Sequence, residues 1–247
     1  MFLISTAISA ELTEKQTKEV SRKIVQEALL SSKLEGEYKQ VLKHHLERVM
    51  YSKQILSTLT KIAAENAVST SSDAELLGFN VMTVLREKSI LTLSNNDLYD
   101  LMNLNIALLA KMSDYECAQY VKKKRTDEGG LGRGIHELTG QLSISDFKKY
   151  IGYYDKAFQN LFIGKSDAEK LSDSDAEIVS SEFQSLKRDL LTKDEFVRSF
   201  FASGKSFSAS PDADVCRISK ELMKLVVSGD RENAKKRASA FVNGQLK

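Results

Sequence analysis

A single proline in 247 residues, placed where a helix begins, restricts this chain more than any other feature. Proline averages about 5% of residues and is the residue that stops helices and shapes the tight turns of β folds. The glycines reinforce the point, because five of the twelve crowd between 129 and 140 and leave only seven for the rest of the chain. Long uninterrupted helices are the natural outcome.

Helix-start signals recur along these stretches. Thr13 with Gln16, Ser72 with Glu75, Ser113 with Glu116 and Thr192 with Glu195 have the spacing of a capping box. In that motif a hydroxyl and a carboxylate or amide three residues apart satisfy each other's backbone N–H groups. Ser94 with Asp97, Ser143 with Asp146 and Ser172 with Asp175 are shorter versions. At Ser210-Pro211-Asp212 the serine is placed to cap, the proline needs no partner for an absent N–H, and Asp212 and Asp214 face the positive end of the helix dipole.

Apolar residues follow each signal at helical spacing. The pattern predicts helices over 11–34 and 36–67, the second about 45 Å long at 1.5 Å per residue. Further helices are expected over 73–88, 95–112, a run through Cys117, 144–163, 173–190, 193–202, 211–227 and 230–243. Residues 95–112 are apolar nearly all round, as a central element would be. In 144–163, Phe147, Tyr150, Ile151, Tyr154, Phe158, Leu161 and Phe162 make an aromatic stripe that reads as core. Phe196 and Phe200 form an i, i+4 pair in 193–202. The expected architecture is all-α, an irregular multi-helix bundle of about nine or ten helices with no sheet. Residues 11–247 read as one domain interrupted by a glycine-rich loop at 127–142.

Thirty-six basic residues oppose 34 acidic ones, so no whole-molecule field recommends nucleic acid or an anionic membrane. No run of about 18 apolar residues suggests a membrane span. Residues 1–10 are apolar and end in small residues before Glu11. They resemble the back half of a secretory signal. They read equally as a buried N-terminal arm leading into the first helix.

Cys117 and Cys216 lie ninety-nine positions apart, each near a helix start. They are either bridged, which suits an oxidising compartment, or two buried free thiols. Neither a C-x-x-C pair nor a Cys/His ligand set is present, so no metal site is expected.

The glycine-rich segment holds Glu128, Gly129, Gly130, Gly132, Arg133 and Gly134, followed by His136 and Glu137. A phosphate loop would need a preceding strand and a Lys-Ser/Thr ending, and neither is there. The segment reads instead as a partner-binding loop. His136 and Glu137 could serve as acid and base only with convergent partners, which the sequence does not nominate. His44 and His45 fall mid-helix, one toward the apolar face and one toward solvent. The basic runs 122–125 and 235–237 read as solvated faces, without the aromatic interleaving of a single-strand binder. No catalytic residue and no cofactor is assigned.

The block that contains Ser210, Pro211, Asp212, Asp214 and Cys216, with two short amphipathic runs ending at Phe241, resembles the C-terminal part of small exported all-helical proteins of Gram-negative bacteria. Some of those are similar to immunity proteins that guard the cell envelope against interbacterial toxins. The resemblance implies a periplasmic or secreted, non-enzymatic protein that occludes a partner, a toxin among the options, by steric means. Two other readings stand beside it: a secreted or translocated bacterial effector with enzymatic activity on a helical scaffold, and a cytoplasmic helical adaptor.

Overall fold

The computed structural model describes residues 14–65, 82, 84–122 and 139–246. Within them the chain is all-α. The bounded helices are α1 (Glu14–Ser31), α2 (Gly36–Met50), α3 (Lys53–Glu65), α4 (Asn95–Lys111), α5 (Asp114–Lys122), α6 (Ile144–Phe162), α7 (Asp173–Lys193), α8 (Glu195–Ala202), α9 (Asp212–Val227) and α10 (Arg231–Val242). A 3₁₀ turn covers Phe207–Ala209, residues 84–90 are also helical, and no strand occurs among the described residues.

Four of the expected caps form. Ser94 and Asp97 make a reciprocal box at α4, and Ser113 and Glu116 do the same at α5. The Ser143 and Ser172 hydroxyls accept from the N–H groups of Asp146 and Asp175, each at 3.1 Å. Thr13, of the first pair, and both members of the Ser72/Glu75 pair lie outside the described residues.

Three expectations at helix ends are corrected. The predicted 36–67 helix is two helices, because Ser52 intervenes. Its hydroxyl donates back to the Val49 carbonyl at 2.7 Å and accepts from the Ile55 N–H at 3.3 Å, closing α2 and opening α3. The break lets both α2 and α3 pack on α1, which one straight rod could not do. Thr192 does not cap α8. Its hydroxyl donates to the Arg188 carbonyl within α7, and Asp194 caps instead by accepting from Val197 N–H at 3.1 Å. Ser210 likewise turns away from α9 and donates to the Ser206 carbonyl at 2.8 Å, so Pro211 stands at the cap position and the helix begins at Asp212.

The pairings run in series. α1 packs on α2 and α3, α2 on α6, α6 on α4, and α4 on both α9 and α10. α9 and α10 then pack on α7, and α7 carries α8. α4 is therefore central, in keeping with its all-round apolar surface. The aromatic stripe of α6 is core: Phe147, Tyr150, Ile151, Tyr154 and Phe158 are all buried. One hydrophobic cluster extends from Val20 on α1 to Ala238 on α10 and takes in residues on both sides of 123–138.

A polar strap fastens residues 163–169 to the turn before α4. The Asp167 N–H donates to the Thr92 carbonyl at 2.8 Å, and the Asn160 amide donates to that carbonyl and to the Asp167 carboxylate. The Lys165 ammonium, then the Asn160 amide, then Lys156 hold the Asp167 carboxyl at about 2, against an ordinary 3.8 and against the opposing effect of burial. A carboxyl depressed in this way stabilises the fold above its unfolded value, and the contribution disappears as pH falls from about 3.8 toward 2. Urea midpoints of the wild-type chain and Asp167→Asn should differ at pH 5 and converge near pH 2. A gap that does not change with pH would count against the strap.

Candidate interaction surface

The cysteines and histidines come first, as the residues most able to carry chemistry. Cys117 on α5 and Cys216 on α9 are disulfide-bonded, with Cα atoms 5.5 Å apart and both side chains fully buried. Beside the bridge, the Lys122 ammonium reaches the Ser210 carbonyl at 2.9 Å and the Asp212 carboxylate at 2.7 Å. The backbone oxygen that Ser210 leaves without a helical role thus anchors the end of α5. Both links are structural.

His44 and His45 divide as the helix pattern predicts, with His44 exposed and His45 buried. His45 Nδ1 lies 2.7 Å from one Asp155 oxygen, and Arg48 donates to the other at 2.8 Å. The pair requires the proton on Nδ1, and it has the shape that orients an imidazole in acid–base enzymes. Among the described residues no nucleophile hydrogen-bonds to the ring, whose face packs near Phe158. It joins α2 to α6. No group of three or more His, Cys, Asp or Glu among the described residues is arranged to hold a metal, and no described helix is long and apolar enough to cross a membrane. Glu128, Gly129, Gly130, Gly132, Arg133, Gly134, His136 and Glu137, the predicted partner-binding loop, lie outside the described residues.

The surface that stands out was only partly visible in the sequence. On α8 (EFVRSFFA), Val197 is the one fully buried side chain. Phe196, Phe200 and Phe201 are each partly exposed. Ser203 ends the helix, with its N–H on the carbonyls of Ser199 and Phe200, and Gly204 at φ +62° turns the chain back in the left-handed region that favours glycine. The 3₁₀ turn then lays Phe207, 36% exposed, against Phe200 with ring centres 5.7 Å apart. Phe200 meets Phe201 edge-on at 5.8 Å.

Cations overlie this aromatic strip. The Arg217 guanidinium sits 4.2 Å from the centre of the Phe196 ring, and the Lys187 ammonium 5.1 Å from that of Phe201. Between residues 184 and 210 there are five Lys and Arg against three Asp and Glu. Asp194, one of the three, accepts both from Val197 N–H and from Arg217, and these partners hold its carboxyl below the usual carboxylate range. The Phe196/Phe200 spacing was legible as an i, i+4 pair. The addition of Phe207 depends on the turn at Gly204, and that of Arg217 on how α9 lies beside α8. No family model, no curated protein and no solved structure matches the chain.

Proposed function

We propose that this chain is a non-enzymatic binding protein that acts on another protein through the α8 and 3₁₀ surface. The observation that carries the reading is four clustered phenylalanines left partly uncovered at the end of the packing series, with cations laid over two of the rings. Aromatic side chains with arginine are the usual energetic centre of a protein interface. The cationic excess selects the occupant, an apolar segment of a protein partner flanked by acidic residues. The buried disulfide favours an oxidising compartment, which suits a periplasmic or secreted immunity or envelope accessory protein that occludes its target.

A photo-activated cross-linker at Phe207 should trap one discrete protein, and one at Leu30, an exposed apolar position on α1, should not. With that partner purified, Phe200→Ala should weaken binding about 30-fold, the loss expected for a central aromatic anchor worth about 2 kcal/mol. Equal trapping at both positions, or unchanged affinity of Phe200→Ala, would remove the surface from consideration. Deleting 128–134 in parallel separates the aromatic surface from the glycine-rich loop.

A further inference from the structure

The segment that joins α7 to α9 is held to the bundle by few contacts. Between Asp194 and Ala209 its one buried residue is Val197, and residues 202–209 are all exposed. α8 packs chiefly on α7, where Val197 is covered and the Lys187 ammonium overlies Phe201. The 3₁₀ turn is tied to its own neighbours, with Phe207 against Phe200 and the Ser206 carbonyl accepting from the Ser210 hydroxyl. Each end of the segment is a joint. Asp194 breaks the helix between α7 and α8 at φ −115° and ψ 104°, and Ser210 and Pro211 are extended before α9 begins.

Towards α9 the attachment comes from Arg217. Its Nη2 donates to both oxygens of Asp194, at 3.1 and 2.8 Å, and the same guanidinium lies over Phe196. Among the described residues this is the one ion pair between the segment and another helix. Arg217 follows Cys216, whose bridge to Cys117 fixes that turn of α9 to α5. A firmly anchored turn thus holds the least anchored part of the fold.

Parts of a protein that bury little apolar surface open at a smaller free-energy cost than the core does. The side chains of Phe196, Val197, Phe200 and Phe201 lie along one face of α8, so an outward swing frees all four together. A helix of eight residues is not stable without packing, and its backbone hydrogen bonds are lost in the same event.

We infer that residues 195–209 form a hinged arm that leaves α7 as one unit while the rest of the bundle stays folded, with Arg217 as the latch that sets how often it opens. Opening bares Val197 and the covered sides of Phe196, Phe200 and Phe201. Arg217 therefore controls how much apolar surface this end of the molecule presents. The opening belongs to the free chain and does not depend on the protein-binding proposal.

The test is native-state hydrogen exchange of the full chain with its disulfide intact. The Arg198 and Ser203 N–H groups report the two ends of α8, bonded to the Asp194 and Ser199 carbonyls, each at 3.0 Å. Both should exchange with one common opening equilibrium, at least about 100-fold more open than that of the buried Ile218 and Val226 in α9. Arg217→Gln should accelerate both about tenfold, the equivalent of one exposed ion pair and one cation–π contact, and leave Ile218 unchanged. Asp194→Asn keeps the capping oxygen, removes the counter-charge and should act in the same direction. A thiol placed at Val197→Cys should be alkylated from the native state at a rate that Arg217→Gln raises by a similar factor, whereas one at Ile218→Cys should react only on global unfolding. Protection of Arg198 and Ser203 equal to that of Ile218 would overturn the arm. Acceleration of Arg198 without Ser203 would reduce it to fraying at one end, and rates that neither Arg217→Gln nor Asp194→Asn changes would overturn the latch.

Discussion

Removing the Cys117–Cys216 bridge is expected to lower stability by about 2 to 5 kcal/mol, through either cysteine and by the same amount through both. The bridge closes a loop of 99 residues, so its loss returns to the unfolded chain the freedom that cross-linking had taken away. For a chain of this size, about 3 kcal/mol corresponds to roughly 6 to 12 °C in Tm. Urea unfolding of Cys117→Ala, Cys216→Ala and the double variant separates this effect from simple packing loss. Both sulfurs are fully buried, so if cavities dominate, the two substitutions will add. If the cross-link dominates, either single variant equals the double, because each breaks the same bond. Additive losses, or midpoints at the wild-type value, would mean that the bridge joins two surfaces already held together by their own packing. The Lys122 link to Ser210 and Asp212 makes that a real contest, since it ties the same two helices without a covalent bond.

Arg237 carries the second large effect. The residue is 1% exposed and lies inside α10, where the sequence shows only a basic run, Lys235-Lys236-Arg237. Nη1 donates to Glu182 on α7 at 2.6 Å, Nε to the Val226 carbonyl at 3.3 Å, and Nη2 to the Ser228 carbonyl. One guanidinium thus satisfies the carbonyls at the end of α9 and joins them to α7, while Glu182 also accepts from Asn233 at 2.6 Å. Burial lowers the Arg237 pKa from its ordinary value, against the pull of Glu182. Arg237→Met should destabilise by about 3 kcal/mol, because it removes the side-chain donor to two backbone oxygens and leaves Glu182 with Asn233 but without its counter-charge. Arg237→Lys should recover little, since one ammonium cannot reach three acceptors set for a planar fork. Adding Glu182→Met to Arg237→Met should restore part of the loss by removing a carboxylate that has lost its counter-charge. Denaturation midpoints at wild-type level for Arg237→Met would show the network to be incidental.

The candidate sites were less legible than the fold. Lys235-Lys236-Arg237 reads as a solvated face because a charge run carries no sign of which member faces inward. The opposing Glu182 is 55 positions away. The same holds for the His45–Asp155 pair at a separation of 110. The α8 surface was half visible. The Phe196/Phe200 pair is local, but Phe207 joins it only through a turn, and Arg217 only through the meeting of α8 and α9.

Sequence alone determined the helical class of this protein and most of its helix starts, because capping, dipole and periodicity are set within about four residues along one chain. It failed at Ser52, Thr192 and Ser210 for a related reason. A hydroxyl can cap the next helix or donate back to the previous turn, and local propensity does not rank the two. Tertiary structure decided which of several apolar stripes stayed uncovered, which charges were buried, and which of the two states open to Cys117 and Cys216 is realised. Each of those outcomes depends on the distance between residues tens of positions apart. That distance is set by how whole helix faces pack, and no local pattern encodes it.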